Sequence, residues 1–435
     1  MSTTTLTNEK TTPSSPTVKL LTFNTWGLKY ISRHRTERMQ AIANKLANPT
    51  SPDDDYDIVA LQEIWCEDDW ECIQQACKDR YPYRRAFKSG IVSGPGLAVL
   101  SKIPIAETFL YRFPINGRPS AFFRGDWFVG KGVAVTLFKS HDGKALPIAL
   151  LNSHMHAPYA TNGDASYSTH RACQAWDFTK LVKMLKQARY AVIQVGDLNS
   201  KPGSLPYKLF TIEGGLSDSW NLVHEQRYED NLIELSPHDQ VLHAGITCNS
   251  RLNSYRQKSE PWQACRLDYA LIDSNNITPI KASVKFTERL PAPLDCSYSD
   301  HFAYSTEFTI NSKDEFAPAS YEDQQITLDA KESIYRELLA EVSEYRQFTI
   351  PFQATWRKVH FFLSLIITIA LHVGVYFVSS VAGWIPVIFL LVTVVVILSG
   401  TINGLIWYCG VRPESRALQE VQMEVEDAYT CLKRQ

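Results

Sequence analysis

The sequence predicts a large α/β domain followed by two helices that cross a membrane as a hairpin. Between Val18 and about Phe308, short runs of Val, Ile and Leu alternate with longer mixed stretches. Runs of this kind are typical of strands that are buried on both faces and joined by helices. Towards the C-terminus, two long stretches contain no charged side chain. Each of them is long enough to cross the hydrocarbon core of a bilayer.

Composition excludes several classes of protein. The 435 residues include 44 Lys and Arg against 46 Asp and Glu, so the net charge is −2. A nucleic-acid-binding protein that works through bulk positive charge is therefore not expected. Hydrophobic residues make up 45% of the chain, which is enough for a large core and too much for a disordered protein. The nine cysteines include no Cys-x-x-Cys pair, which argues against a disulfide framework and a structural zinc site.

Residues 1–17 are predicted to form a disordered tail. The first sixteen residues are rich in Ser and Thr, contain no apolar run for a signal peptide and lack the Arg of a mitochondrial transit peptide. We therefore expect the chain to begin in the cytosol. Residues 18–310 are predicted to form the α/β domain.

Within this domain, apolar runs predict the strands and longer amphipathic stretches predict helices. The apolar side chains of residues 170–187, such as Trp176 and Leu181, follow helical spacing. The predicted helices cover residues 35–46 and 170–187, and the predicted strands cover residues 19–23, 57–61, 97–100, 133–138, 148–151, 191–195 and 267–272.

The hairpin is predicted at residues 356–408, with spans at about 359–379 and 386–407. A linker and a charged juxtamembrane helix precede it at residues 311–355, and Ser320 with Asp323 resembles a capping box that would begin this helix. Tryptophans stand near both ends of the spans, as in the aromatic belts of membrane proteins. A pair of buried helices in a soluble protein is the alternative, and two adjacent charge-free runs of this length disfavour it.

Charges flanking the spans predict their orientation. Arg357 and Lys358 precede the first span, and Arg412 and Arg416 follow the second. Because cytoplasmic flanks carry an excess of Lys and Arg, both ends of the hairpin are expected in the cytosol. Residues 409–435 are accordingly predicted to be a cytosolic helix, whose apolar seam indicates packing against the helix before the hairpin.

Polar residues occur where the predicted strands end. Because strand ends at one edge of a sheet lie close together, we expect these side chains to meet. They supply carboxylates, amides and two imidazoles, which suit Mg²⁺-assisted attack of water on a phosphate ester. The sequence contains no Gly-x-Ser-x-Gly elbow, so water is the expected nucleophile. The residues are Asn24, Glu63, His154, Asp197, Asn199, Asp268, Asp300 and His301.

These residues lie in an ordered series of motifs, which are Leu21–Gly27, Leu61–Glu63, Asn152–His154, Gly196–Asn199, Arg266–Tyr269 and Ser299–His301. The series resembles the DNase I-like phosphodiesterase superfamily, which includes nucleases, inositol-polyphosphate 5-phosphatases and neutral sphingomyelinases. The resemblance implies a DNase I-like four-layer α/β sandwich. Longer stretches and the hairpin resemble the fungal inositol phosphosphingolipid phospholipases C; the stretches are Thr22–Tyr30, Tyr111–Lys131, Asn152–Tyr159 and Gly196–Pro206.

The resemblance also implies a role for each site residue. Glu63 would be the main Mg²⁺ ligand, with Asn24 nearby and Mn²⁺ as a substitute ion. Asn199 and His154 would hold phosphate oxygens, and Asp197 would position the attacking water. The general base would be His301, oriented by Asp268 and supported by Asp300. A neutral imidazole beside a carboxylate accepts a proton from water near pH 7. His156 is a candidate for a supporting position behind His154.

Gly125–Gly132 superficially matches a phosphate-binding P-loop. It has glycine where the motif requires Ser or Thr, and a predicted strand follows it, so a nucleotide-binding P-loop is rejected. The resemblance to neutral sphingomyelinases instead implies that Asp126 and Lys131 are needed for activity. We expect Trp127 and Phe128 to be exposed, and Lys131 to meet anionic lipids such as phosphatidylserine or cardiolipin. An ordinary glycine-rich hairpin is the alternative.

These features together predict a membrane-tethered, Mg²⁺-dependent phospholipase C. It is expected to cleave inositol phosphosphingolipids, with sphingomyelin as a further candidate, into ceramide and a phosphorylated head group. The resemblance points to the endoplasmic reticulum, with the mitochondrial outer membrane as the alternative. Other functions on the same fold are a phosphoinositide 5-phosphatase, a nuclease or a non-catalytic membrane scaffold. The choice between inositol and choline head groups stays open, as does the oligomeric state.

Overall fold

Two six-stranded β-sheets lie face to face at the centre of the α/β domain. The computed structural model describes residues 17–140, 143–224, 232–318 and 321–434, with side chains in the helix after the linker described from Leu328 onward. The predicted tail lies outside the described residues except for Thr17, which begins the first strand instead. The capping box predicted at Ser320 also lies outside them.

The described residues include twelve strands, and all seven predicted strands are among them with slightly shifted ends. They are β1 (Thr17–Asn24), β2 (Ile58–Gln62), β3 (Tyr83–Ala86), β4 (Ala98–Ser101), β5 (Ile105–Arg112), β6 (Gly132–Phe138), β7 (Ile148–His154), β8 (Ala191–Asp197), β9 (Ser217–Asp218), β10 (Asp268–Ile272), β11 (Ile277–Lys285) and β12 (Ala303–Ile310).

The order of the strands in the first sheet is β11-β12-β1-β2-β4-β3, and in the second it is β5-β6-β7-β8-β10-β9. The pairs β1–β2 and β7–β8 are parallel, whereas the other pairs are antiparallel. Leu20 and Ile58 of the first sheet pack against Leu150 and Ile193 of the second. Strands of this kind are apolar on both faces because helices cover the outer faces.

Helices form the outer layers and the C-terminal region. They are α1 (Arg35–Ala47), α2 (Glu67–Ala76), α3 (Asp126–Val129), α4 (Ser168–Gln187), α5 (Leu205–Lys208), α6 (Ser219–Val223), α7 (Pro237–Ala244), α8 (Tyr321–Glu344), α9 (Ile350–Val378), α10 (Ile385–Leu405) and α11 (Arg412–Leu432).

The sheets and helices form the four-layer sandwich that the resemblance implied. On one side, Met39 and Ile42 of α1 and Ile73 of α2 pack against the first sheet. On the other side, Trp176 and Phe178 of α4 pack against the second sheet. The predicted fold class, an α/β sandwich of the DNase I-like type, is therefore confirmed.

Helices α9 and α10 form an antiparallel pair whose apolar side chains are largely exposed. Both belong to helical stretches that are long and apolar enough to cross a membrane. Two glycines of α10 allow the helices to approach closely. A Cβ at Gly400 would collide with the Ser364 side chain, and one at Gly404 would lie 2.7 Å from the ring of Phe361. Small residues serve this purpose in membrane helix pairs.

Helices α8 and α11 pack against each other and against α4 of the sandwich. Leu338, Leu418 and Val425 are buried in the same core cluster as Trp176. The expected packing of the last helix against the one before the hairpin is thus present. The α/β domain also takes part in it, which the sequence did not indicate.

Candidate active site

The polar residues predicted to meet do lie at one edge of the two sheets. Asn24 is the last residue of β1, Glu63 follows β2, His154 ends β7 and Asp197 ends β8. We call this the site edge. Two antiparallel strands begin there, since Asp268 of β10 pairs with Asp197 and Tyr304 of β12 pairs with Thr22. The sheet register therefore brings together residues that are far apart in sequence.

Two amides link the sheets beneath the site. The Gln62 side-chain nitrogen donates to Oδ1 of Asn152 at 2.8 Å, and the Asn152 nitrogen donates to the carbonyl of Leu61 at 3.1 Å. Both residues are buried. Because buried polar groups are costly without partners, this reciprocal pair fixes how one sheet sits on the other. Neither residue was singled out as a link from the sequence.

The backbone at the site edge is strained. Trp26, Glu63 and Asn199 have φ angles of 52°, 61° and 46°, in the left-handed region that non-glycine residues rarely adopt. Each residue follows the end of a strand and turns the chain sharply there. Such outliers persist where surrounding contacts impose them, and they cluster at functional sites.

Asn24 connects two carboxylates across the site. Its side-chain nitrogen donates to Oε1 of Glu63 and to Oδ2 of Asp197, both at 3.0 Å. Its side-chain oxygen accepts a hydrogen bond from the Trp26 backbone at 3.0 Å. The amide therefore presents its nitrogen to the candidate metal ligands. This geometry favours orientation of the carboxylates by Asn24 over direct binding of an ion by its oxygen.

His301 lies between two carboxylates. Nδ1 of His301 is 2.9 Å from Oδ2 of Asp268, and Nε2 is 3.9 Å from Oδ2 of Asp197. Burial acts to lower the pKa of His301, but the Cys248 thiol and the two carboxylates outweigh it and raise the pKa well above the ordinary value. A neutral imidazole near pH 7, as the sequence suggested, thus requires compensating positive charge nearby.

The site edge contains donor atoms that fit a divalent cation. Asp197, Asp268 and His301 each place a possible ligand atom within 4.8 Å of the others, and Oδ1 of Asp268 is buried without a partner. Burial and the nearby Asp300 carboxylate raise the pKa of Glu63 to about 7. Burial, with the Asp268 carboxylate adding to it, raises the pKa of Asp197 to about 6. Crowded carboxylate oxygens of this kind are the ligands that Mg²⁺ prefers.

His154 and Asn199 lie on either side of Asp197. Nε2 of His154 is 3.5 Å from Oδ2 of Asp197, and the Asn199 backbone donates to its Oδ1 at 3.0 Å. Burial and the charge of Lys131 lower the pKa of His154 well below its ordinary value. His154 is therefore neutral at pH 7, and its Nδ1 is buried without a partner.

Asp300 is held beside the site by an arginine that sequence reasoning missed. Oδ2 of Asp300 is 2.6 Å from Nη2 of Arg256. The preceding Ser299 hydroxyl donates to the carbonyl of Asn24 at 2.6 Å, so the segment that carries His301 is attached to the end of β1. Arg256 stands in no recognised motif, and no signal in the sequence indicated it.

Arg38 of α1 is a second residue that the sequence did not reveal. Its buried guanidinium donates to the carbonyls of Thr25 and Trp26 at 2.9 and 2.8 Å, and to that of Tyr298 at 2.7 Å. These bonds join the turn after Asn24 to the segment that leads to His301. Burial lowers the pKa of Arg38, although nearby anionic groups oppose the effect.

Asp126 and Lys131 form a buried ion pair next to the site. Their charged atoms are 2.8 Å apart, and Lys131 also donates to the carbonyl of Met155 at 2.8 Å. The Asn199 side chain donates to that same carbonyl at 3.0 Å. Although burial opposes it, Lys131 and His156 lower the pKa of Asp126 to about 2. The pair is thus connected to the site through one backbone oxygen.

The structure of this segment differs both from the exposed loop that was expected and from the hairpin that was the alternative. Gly125–Gly132 is not a hairpin, because Asp126–Val129 forms one turn of helix before β6. Trp127 and Phe128 are half-buried in this turn rather than exposed. Lys131 is only 3% exposed, because Asp126 and the Met155 carbonyl hold its ammonium group inside the domain.

His156 belongs to the ion pair rather than to the strand of His154, since β7 ends at His154. Nε2 of His156 is 3.6 Å from Oδ2 of Asp126, and its ring stacks on Tyr167 with centroids 4.0 Å apart. Burial lowers the pKa of His156 to about 3 even though Asp126 opposes the shift.

The sequence profile of the Endonuclease/Exonuclease/phosphatase family matches residues 21–301, a stretch that contains every predicted residue of the site. The chain therefore belongs to this family. Staphylococcus aureus beta toxin has the same fold, with a TM-score of 0.50 and 19% identity over 66% of this chain and 99% of that chain.

Similar proteins that are named for their activity show to which branch of this family the chain belongs. The inositol phosphosphingolipids phospholipase C of Saccharomyces cerevisiae is 49% identical over 434 residues, which cover 94% of this chain and 90% of that protein. The protein of the same name from Schizosaccharomyces pombe is 36% identical over 90% of this chain and 89% of its own length. Human sphingomyelin phosphodiesterase 2 is 32% identical over 47% of this chain and 46% of its length. The chain thus belongs to the inositol phosphosphingolipid phospholipase C branch of the family. The proteins of this branch are phosphodiester hydrolases.

Proposed function

We propose that this protein is a membrane-tethered, Mg²⁺-dependent phospholipase C that hydrolyses inositol phosphosphingolipids. The products are ceramide and a phosphorylated inositol head group. The observation that carries the proposal is the cluster of Asp197, Asp268 and His301 at the site edge, with Glu63 joined to it through Asn24, in a chain that continues into two helices apolar enough to cross a membrane. The names of the two fungal relatives, which align over nearly the whole chain, support the substrate class.

The chemistry follows from the proton acceptors at the site. Water attacks phosphorus, the bond from phosphorus to the ceramide oxygen breaks, and that oxygen takes up a proton from the surrounding solvent. His301 accepts the proton of the water at Nε2, because Asp268 occupies Nδ1 at 2.9 Å. Asp197 holds the water, and His154 with Asn199 binds the phosphate oxygens. A positioned general base contributes about 10²–10⁴-fold to such a reaction.

Glu63 would hold the metal ion, and Asn24, which donates to Glu63 and to Asp197, would keep both carboxylates in place. When bound, Mg²⁺ supplies positive charge that stabilises the phosphorane and the departing oxygen. The unpartnered oxygen of Asp268 and the raised pKa values of Glu63 and Asp197 fit this role. Mn²⁺, which also prefers carboxylate ligands, is the expected substitute.

The proposed location is the cytosolic face of the endoplasmic reticulum, or else of the mitochondrial outer membrane. Anionic phospholipids such as phosphatidylserine and cardiolipin are the proposed activators. Because Lys131 is buried, the activator would act on the loop that contains the Asp126–Lys131 pair rather than by touching Lys131 in the observed conformation.

A substrate panel in detergent micelles tests the function. The purified full chain is incubated with inositol phosphoceramide, sphingomyelin or phosphatidylinositol bisphosphate, with Mg²⁺ or with EDTA. Release of ceramide from inositol phosphoceramide, dependent on Mg²⁺, is expected. Phosphate release from the phosphoinositide alone would identify a 5-phosphatase instead. Absence of turnover on all three substrates would indicate a scaffold.

A further inference from the structure

Six of the large apolar residues that are exposed on the α/β domain lie as adjacent pairs on three of its loops. Phe123 is 92% exposed and Phe122 is 60% exposed, and their rings lie 4.0 Å apart. Single exposed apolar residues are ordinary, but a concentration on one side of a domain marks an interaction surface. We call this set the apolar rim; it consists of Tyr30, Ile31, Ile91, Val92, Phe122 and Phe123.

All three loops of the apolar rim lie at the site edge. Tyr30 and Ile31 follow β1, which ends there at Asn24. Ile91 and Val92 precede β4, whose first residue pairs with Leu61 near the end of β2. Phe122 and Phe123 precede β6, whose Val133 pairs with Ser153 at the end of β7. Strand direction therefore places the three loops of the rim on the side of the domain where the candidate active site lies.

Two of these loops are joined to each other. The backbone nitrogens of Ile91 and Val92 donate to the carbonyl of Phe128 at 2.7 and 3.2 Å. Gly90 and Gly130 touch so closely that a Cβ at Gly130 would lie 2.7 Å from the Gly90 nitrogen. Because Lys131 follows directly, the rim and the buried Asp126–Lys131 pair belong to one connected segment.

The end of the hairpin reaches the same edge. Helix α10 continues to Gly410 and Val411, and a Cβ at Gly410 would lie 2.6 Å from Cγ of Pro119. Glu414 of α11 is 3.1 Å from Nε2 of His170, in the first turn of α4. A cavity of about 220 Å³ lies between the hairpin end and the segment that includes Asn116, Trp127 and Lys131.

We propose that the apolar rim inserts into the surface of the bilayer that the hairpin crosses, so that the site edge faces the membrane. The inference rests on the proposed membrane attachment and goes beyond it by fixing which side of the domain meets lipid. Pro119 touches the hairpin end, and Phe122 and Phe123 follow it by three and four residues. The rim is therefore continuous with the membrane-entry point, and this favours lipid over a protein partner.

Insertion of the apolar rim would fix the orientation of the α/β domain on the membrane. The hairpin keeps the domain at the membrane in any case, whereas burial of the rim holds the site over the head groups of the substrate. Each aromatic side chain that is fully withdrawn from water favours this orientation by roughly ten- to hundredfold. Aromatic residues are also those enriched where proteins meet the membrane interface.

The test compares two substrate forms. A double variant, Phe122→Ser with Phe123→Ser, is reconstituted in vesicles of phosphatidylcholine and inositol phosphoceramide, and is assayed in parallel on a short-chain substrate below its micelle concentration. The matched control is Met184→Ser with Ile280→Ser. These residues are 65% and 53% exposed and lie away from the site edge on α4 and β11.

A loss of about tenfold or more on vesicles is expected for the rim variant, with turnover of the soluble substrate within twofold of wild type. The control should match wild type on both substrates. Equal rates of the rim variant and wild type on vesicles would overturn the inference, and so would equal losses on both substrates. Inactivity of the wild type on both substrates would instead refute the proposed function. Loss of a detergent-stable dimer in the rim variant would assign the rim to a second copy of the chain and also overturn the inference.

Discussion

At the scale of single residues, Asn24 shows how one amide organises the site. Its nitrogen donates to Glu63 and Asp197 at equal distances of 3.0 Å, so two carboxylates that would repel each other are held around a common point. The strained backbone of Glu63, with φ at 61°, is maintained by such contacts. Strain of this kind is tolerated where the surroundings impose it.

Glu63→Gln should raise the Mg²⁺ concentration needed for half-maximal activity by at least tenfold, because it replaces an anionic oxygen ligand by a neutral amide. The measurement is ceramide release against Mg²⁺ concentration after removal of metal with EDTA. Glu67→Gln, in the exposed ion pair with Lys88, is the control and should leave the curve unchanged. Identical curves for Glu63→Gln and wild type would exclude Glu63 as a ligand.

His301→Ala should lower kcat by about 10²–10⁴-fold with little change in KM, since a general base acts in the chemical step. Asp268→Asn should lower kcat by a smaller factor. His301 would still offer Nε2 as a proton acceptor, but Nδ1 would lose its anionic partner. His238→Ala, at an exposed site, serves as the control. Near-normal kcat in His301→Ala would rule out the assigned role.

The lowered pKa of His156 predicts a contribution to the pH dependence of the free energy of unfolding. Its pKa is lowered from 6.5 to about 3 in the folded protein, so between these values the unfolded chain binds a proton that the folded chain does not. His156 alone should therefore lower the free energy of unfolding by about 1–2 kcal/mol from pH 6.5 to 5, whereas the raised pKa values of Glu63 and Asp197 act in the opposite direction over this range.

His156→Gln should remove this contribution. Denaturant unfolding in detergent at pH 7.5 and pH 5 gives the loss of stability for each variant. Between pH 7.5 and pH 5, the free energy of unfolding of His156→Gln should fall less, or rise more, than that of wild type and of the exposed-site control His238→Gln. An unchanged difference would show that His156 does not cause the acid sensitivity.

At the scale of elements, Asp126 in the short helix α3 and Lys131 directly before β6 form a buried ion pair where an exposed loop was expected. Breaking a buried pair by removing one partner costs about 3–5 kcal/mol, whereas removing both costs much less. Lys131 of this pair also donates a hydrogen bond to the Met155 carbonyl. The same carbonyl accepts a hydrogen bond from the Asn199 side chain. Loss of the pair is therefore expected to change both stability and the position of Asn199, the residue proposed to bind phosphate.

Lys131→Met should lower the free energy of unfolding by about 3 kcal/mol or more and reduce activity, while the protein stays in the membrane fraction. The double variant Asp126→Asn with Lys131→Met should recover part of the stability, because no unpaired charge remains. Lys88→Met, at an exposed position, is the control. Additive losses in the double variant would contradict a direct interaction between Asp126 and Lys131.

At the scale of the whole molecule, the helices on both sides of the hairpin pack on the α/β domain. Tyr335 of α8 donates to Glu213 at 2.6 Å, and the Trp176 indole of α4 donates to Glu424 of α11 at 2.7 Å. Because α8 precedes the hairpin and α11 follows it, both ends of the hairpin must emerge on the same side of a membrane. The packing of α8 and α11 thus requires that the chain between them crosses a membrane an even number of times.

Protease added to sealed microsomes should digest the α/β domain and α11 together, because the packing places them on the same side and the positive-inside rule predicts that this side is the cytosol. The measurement is immunoblotting with tags before residue 17 and after residue 435. Lumenal marker proteins that stay intact are the control. Protection of one tag and digestion of the other would contradict the packing of α11 on α4.

The sequence by itself determined the class of fold, the apolar hairpin and the set of polar residues at the strand ends. These features are local, since runs of apolar residues and the motifs at their ends can be read without knowing what packs against them. The expected strands at residues 191–195 and 267–272 illustrate this, as both are present in β8 and β10.

Tertiary structure alone decided which groups are paired and which are buried. Asn24 and Asp197 are 173 positions apart and meet only because β1 and β8 end at one edge. Arg256 could not be linked to Asp300 from the sequence, and Lys131 could not be recognised as buried. The physical reason is that burial and ion pairing depend on contacts between distant segments, whereas sequence patterns report the preferences of neighbouring residues.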